Sequence, residues 1–133
     1  MADIEKIKEK SRELAGNYGI NMIVLFGSRA DGTARKKSDA DIAYVRKEPL
    51  SFRDQLSLGA ELAPLFGTEA VDVVHLNKTS PVFMYEIMKK AKVLFTDNVL
   101  TFPNFFSYSL KRLEENMFLY DLKFARLCKE YGV

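Results

Sequence analysis

The chain has 133 residues, enough for one domain with at most an appendage. With 47% apolar and 29% charged residues it can build an ordinary globular core, and Lys+Arg 20 against Asp+Glu 18 is too even for a protein whose main business is coating a nucleic-acid backbone. Its single cysteine, Cys128, excludes a disulfide framework and a cysteine-rich zinc site, which fits a reducing compartment. The N-terminus MADIEKIKEK is charged from its third residue and shows no signal-peptide apolar region. No apolar run approaches the ~18 residues of a membrane span. The expectation is a cytoplasmic protein that contacts no membrane.

Asp3 can cap a first helix, in which Ile4, Ile7, Ser11, Leu14 and Tyr18 share one face, with Gly16 and Gly19 to end it. Residues 21–26 (NMIVLF) are short and apolar and stand before Gly27, which predicts a buried strand. Residues 27–38 form a polar loop, with a single helical turn expected at 28–30. Residues 39–45 (DADIAYV) alternate, placing Ala40, Ile42 and Tyr44 on one face and Asp39, Asp41, Ala43 and Val45 on the other. Ser51 with Asp54 reads as a capping box opening a second helix, whose core face is expected to be Phe52, Leu56, Ala60 and Ala63. Pro64 should kink or stop that helix, and Gly67 closes the segment.

Residues 70–76 (AVDVVHL) read as another buried strand, interrupted by Asp72. Ser80-Pro81 is a helix start, with Phe83, Met84, Ile87, Met88 and Ala91 following at helical spacing. Residues 92–96 (KVLFT) predict a last strand. From Pro103 a helix runs without a breaker to Gly132. Phe106, Leu110, Leu113, Met117, Tyr120, Phe124, Leu127 and Tyr131 alternate there by four and three residues, as in a heptad seam. At ~1.5 Å per residue it would be roughly 40 Å long, so part of it should leave the domain and pack on something else.

The chemistry concentrates in residues 26–45. Asp39 and Asp41 are two apart on a strand, so their carboxylates point the same way and repel unless solvated or neutralised by cations. Asp72 is a lone acid where a valine would serve a core strand better. Should its strand neighbour that of Asp39 and Asp41, three oxygen donors converge, a set suited to Mg²⁺. Gly27 lets the backbone approach a bulky anion, and Ser28 with the amides of the next turn can hold phosphate oxygens. The loop carries Arg29, Arg35, Lys36 and Lys37 against Asp31. A basic loop facing an acidic metal cluster is what a metal-bound nucleoside triphosphate requires. His75 has the opposite parity to Asp72 and should face away from the acids as a packing or surface residue. Cys128 reads as a small apolar filler beside the tail seam.

GSRADG…SDADIAYV with a downstream VDVV resembles the minimal nucleotidyltransferases of the DNA polymerase β superfamily, over residues 20–97. The resemblance implies an α/β (α+β) nucleotidyltransferase fold, a mixed β-sheet with helices packed on it, followed by a long C-terminal helix. It implies a nucleotidyltransferase domain at 1–97 and a helical extension at 98–133, either part of the same domain or a partner-docking element. It makes Asp39, Asp41 and Asp72 the catalytic and Mg²⁺-binding residues, and Gly27, Ser28 and Arg29 the residues that bind the triphosphate of ATP. Small members of this kind are similar to antitoxins that pair with HEPN-domain ribonuclease toxins and transfer AMP to a tyrosine of the partner. No direct contact with nucleic acid is expected. Two other readings stay open: transfer to a small molecule such as an aminoglycoside, and neutralisation of a partner by contact alone.

Overall fold

In the computed structural model, which describes residues 3–27 and 40–132, α1 spans Ile4–Tyr18. The Asp3 carboxylate accepts from the Glu5 amide at 3.0 Å, and Gly19 closes the helix at φ 65°, so the chain runs through Gly16 without a break. Strand β1 (Met22–Phe26) follows, then β2 (Ala40–Val45), α2 (Phe52–Phe66), β3 (Val71–His75), a short 3₁₀ turn, α3 (Pro81–Lys90), β4 (Lys92–Thr96) and α4 (Thr101–Tyr131). The sheet order is β3-β2-β1-β4; β1 is antiparallel to β2 and β4, while β2 and β3 are parallel. This is the expected mixed sheet. The one parallel pair needs a crossover, and α2 provides it.

Period-two alternation divides the core between the two faces of the sheet. On one face Ile23, Leu25, Ile42 and Tyr44 pack with Ile7 and Leu14 of α1 and with Leu58, Leu62 and Phe66 of α2. On the other, Met22, Val24, Ala43 and Val45 pack with Met84, Ile87 and Met88 of α3, and Phe102, Phe105 and Phe106 of α4 lie against them. Strands β1 and β2 are therefore covered on both sides. Among the described residues no helix is long and apolar enough to cross a membrane.

The expected core face of α2 is overturned at three of its four positions. Ala63 is buried, but Phe52 is 78% exposed, Leu56 is 58% exposed and Ala60 is exposed. The helix carries two apolar stripes, and a glycine decides between them. A Cβ on Gly59 would stand 2.9 Å from the Val71 carbonyl oxygen, so the helix turns its smallest residue toward β3 to approach it. That rotation carries Leu58 and Leu62 inward and Phe52 and Leu56 outward. Pro64 does not stop α2 either. The helix continues to Phe66 and ends at Gly67, φ 68°, where the Thr68 amide donates to Ala63 O at 3.2 Å. The hydrogen bond that Pro64 cannot donate would have gone to Ala60, and both residues lie on the solvent side, where water can serve that carbonyl.

Helix α4 is 31 residues long, ~46 Å at ~1.5 Å per residue. Its first third packs at home: Ser109 is buried, and the Arg112 guanidinium donates to Thr79 O at 3.1 Å. Beyond Leu113 the apolar residues stand in water, with Tyr120 71% and Phe124 63% exposed. The start of α4 is tied to the sheet by Asp97. Its carboxylate accepts from the Thr101 hydroxyl at 2.6 Å and the Asn21 side-chain amide at 2.9 Å.

The Leu58→Ala variant should lose about 2–5 kcal/mol of unfolding free energy in urea, and Leu56→Ser should stay within about 0.5 kcal/mol of the parent. A larger loss for Leu56→Ser than for Leu58→Ala would mean that α2 faces the sheet by its other stripe. The donors from Thr101, then Asn21, hold the Asp97 carboxyl below its ordinary value of 3.8 against a weaker opposing effect of burial. A carboxyl bound more tightly as its anion in the folded state stabilises above the unfolded value and stops doing so as pH falls through the folded one. Asp97→Asn should therefore melt below the parent at pH 7, and the gap should close as the pH drops through and below 3.8. A gap independent of pH would remove the ionic part of this contact.

Candidate active site

Three strands bring the described acids together. Phe26, the last residue of β1, pairs with Asp41 of β2, and Asp41 in turn lies opposite Asp72 of β3. Residues opposite one another on neighbouring strands share a face, at a strand spacing of about 4.8 Å. Their face is the one that carries Phe26, Ala43 and Val74, under α3 and α4. Asp41 is half-buried and Asp72 exposed at the outer edge of the sheet. The expectation that the strand of Asp72 neighbours that of Asp41 is met, in register.

Gly27 follows directly, with φ 78°. A Cβ built there would lie 2.6 Å from Asp41 Oδ2. The residue is glycine for two reasons: the left-handed backbone turn, and the room that the carboxylate takes. The strand end and the first acid thus fit only because no side chain stands between them. Two carboxylates on one face, one of them seated against the backbone of a glycine turn, are hard oxygen donors that fit a divalent cation of the magnesium kind.

Asp39, Ser28 and Arg29 lie outside the described residues, as do Arg35, Lys36, Lys37 and the helical turn expected at 28–30. Among the described residues no group of three metal-ligating side chains gathers; Asp41 and Asp72 are the two that meet.

His75 faces away from the acids as expected. It is buried, its ring stacks on Tyr44 with centroids 4.9 Å apart, and Nε2 lies 2.7 Å from Arg46 O. A carbonyl only accepts, so Nε2 carries the proton. Nδ1 is buried without a hydrogen-bond partner among the described residues. The Tyr44 hydroxyl accepts from the Leu50 amide at 2.9 Å and from Gln55 at 3.1 Å, and burial pushes its phenol above the ordinary value despite those donors. These residues hold the loop into α2 and take no part in the acidic face. Cys128 is half-buried on α4.

Sequence reading missed two features beside the acids. Phe83 was expected among the apolar residues of α3, yet it is 45% exposed. A groove of about 440 Å³ lies between α2 and β3, lined by Phe52, Leu56, Gly59, Val71, Asp72 and Val73 among others. The doubled apolar stripe of α2 was the available signal for the groove.

The family model described as polymerase beta, nucleotidyltransferase, matches residues 5–99. The chain belongs to the polymerase β nucleotidyltransferase family. Protein adenylyltransferase MntA of Shewanella oneidensis is 32% identical to it over 75 residues, which are 56% of this chain and 53% of that protein. The chain thus spans about half the length of the curated relative it matches. Among solved structures, it superposes with a TM-score of 0.73 and 22% identity on a chain of a toxin–antitoxin crystallised with AMP-PNP, over 90% of this chain and 97% of that one. A chain from the complex of tri-AMPylated Shewanella oneidensis HEPN toxin with MNT antitoxin gives a TM-score of 0.69 at 19% identity, over 94% and 98% of the two chains. At such identities these two matches speak for the fold.

Gly67 supplies an internal control for Gly27, since its φ is 68° and an added Cβ there would meet nothing within 4 Å. Gly67→Ala should cost about 1–2 kcal/mol, the left-handed penalty alone. Gly27→Ala should cost more in urea unfolding, and the excess should vanish when Asp41→Ala is added. An excess that survives in the double variant would place the strain somewhere other than Asp41.

Proposed function

We propose that this protein transfers AMP from ATP to a tyrosine of a HEPN-family ribonuclease toxin and so acts as an antitoxin. The observation that carries this reading is the in-register pairing of Asp41 with Asp72, on one sheet face beside the Gly27 turn. The relatedness to protein adenylyltransferase MntA, and the likeness of fold to complexes of HEPN toxin with MNT antitoxin, support the choice of acceptor.

Each residue has a role. Asp39, Asp41 and Asp72 would hold Mg²⁺. Gly27, Ser28 and Arg29 receive the triphosphate, Gly27 by letting the backbone come close. A metal held there would polarise the phosphate oxygens and offset the mutual repulsion of the acids. Asp72, exposed at the sheet edge, accepts a hydrogen bond from the acceptor phenol and orients its oxygen toward the α-phosphorus. A bond forms from that oxygen to phosphorus as Asp72 takes the phenol proton, the bond from phosphorus to the bridging oxygen breaks, and pyrophosphate leaves. The α2–β3 groove, on the other face of the sheet, reaches the edge at Asp72 and gives the acceptor segment an apolar seat there. The extension at 98–133 is the docking element, gripped by the partner along Met117, Tyr120, Phe124 and Leu127, all exposed in the free chain.

Incubation with ATP, Mg²⁺ and a cognate HEPN protein should add multiples of the adenylyl mass to that protein, read by intact mass spectrometry. Asp41→Asn should abolish the gain. Without metal its melting temperature should hold or rise, because a repulsion is removed together with a ligand. A verified partner that gains no mass from the parent protein would end this reading. A variant that still modifies the partner would take Asp41 out of the mechanism.

A further inference from the structure

Phe83 is an aromatic residue of α3 that the core does not account for; its neighbour Val82 is 53% exposed. Met84, Ile87 and Met88 of the same helix are buried, whereas Phe83 is 45% exposed. It is held firmly nonetheless. Its amide donates to the capping Ser80 hydroxyl at 3.3 Å, Pro81 occupies the first turn, and the Phe26 ring stands edge-on to it at 6.2 Å with an interplanar angle of 86°. Phe26 pairs with Asp41 and precedes Gly27. The exposed ring is therefore one aromatic neighbour removed from the acids, on the face of the sheet that carries them, and backed by a second ring that fixes its orientation.

We propose that Phe83, supported by Phe26, is the surface on which the nucleobase of the donor nucleotide stacks. This rests on the nucleotidyltransferase reading above. If the triphosphate lies at Gly27 and the α-phosphorus at Asp41, the nucleoside must extend from the acids over the same face. The ring that stands open there offers a π surface and no hydrogen-bonding group. Such a surface holds a base through its face and does not read its edge. The donor site should favour purine over pyrimidine nucleotides through stacking area, and should separate adenine from guanine only weakly.

The test is calorimetric titration in Mg²⁺ with a non-hydrolysable ATP analogue and with inorganic tripolyphosphate. The parent should bind the nucleotide more tightly than tripolyphosphate. Phe83→Ala should weaken the nucleotide roughly five- to 150-fold, the range of one aromatic–base stack, and leave tripolyphosphate within about twofold. Phe83→Trp should retain nucleotide affinity. The chain has no tryptophan of its own, so that variant carries a single indole, whose fluorescence the nucleotide should quench and tripolyphosphate should not. Phe83→Ala that binds both ligands as the parent does, or loses both equally, overturns the proposal, as does an indole indifferent to the nucleotide. A parent that binds both ligands equally removes the stacking site and leaves the transferase reading standing. A parent that binds neither removes both.

Discussion

The parallel register of β2 and β3 is the constraint on which the site depends, because it sets Asp41 and Asp72 opposite each other. Nothing local fixes that register. The chain leaves β2, crosses over through α2, and returns along the open side of the sheet. The position of β3 follows from how closely α2 lies on it, and Gly59 sets that closeness, its missing Cβ making room for the Val71 carbonyl. Val71 immediately precedes Asp72. A glycine in the middle of a helix, which costs about 1 kcal/mol in helix propensity, thereby positions a carboxylate on a neighbouring strand.

The pairing works against stability. Acids set opposite each other on strands about 4.8 Å apart repel, and solvent screening at the sheet edge lowers the cost. The fold tolerates it because β1 and the rest of β2 are buried on both faces and supply the cohesion that the edge lacks. Ordinary ion pairs contribute little: those at Lys10–Glu13 and Lys89–Glu86 are exposed, one helical turn apart, and of the kind worth a few tenths of a kcal/mol.

Much of this was legible in the sequence where the signal is local. Asp3, Ser51 and Ser80 cap their helices as read, because a side-chain oxygen needs only the next two or three amides. The strand parity that turned His75 away from Asp72 is equally local. The face of α2 was not legible, since Phe52–Leu56–Ala60 and Leu58–Leu62–Phe66 are both apolar, and the choice between them rests on a backbone 12 residues further on that Gly59 must meet. The exposure of Phe83 was hidden for the same reason: helical spacing counts apolar residues but not where the opposing layer ends. At the site, parity gave Asp41 and Asp72 a common direction only once their strands were known to be neighbours. Asp39, Ser28 and Arg29 lie beyond what the structure describes, and their part in the chemistry rests on the motif.

The two layers of the sheet divide the work. The layer under α1 and α2, apart from the groove between α2 and β3, is closed, with large buried side chains and the Tyr44–His75 stack filling it. The layer under α3 and α4 is not. Its helices meet the sheet along Met84, Ile87 and Met88 and then stop covering it near the end of β1, where Phe83 stands half-exposed and Asp41 lies. The same layer sends the far half of α4 into solvent with its apolar residues uncovered, from an anchor that Arg112 makes with Thr79 on the loop after β3. The acids and the uncovered rod therefore belong to one layer, joined through α3.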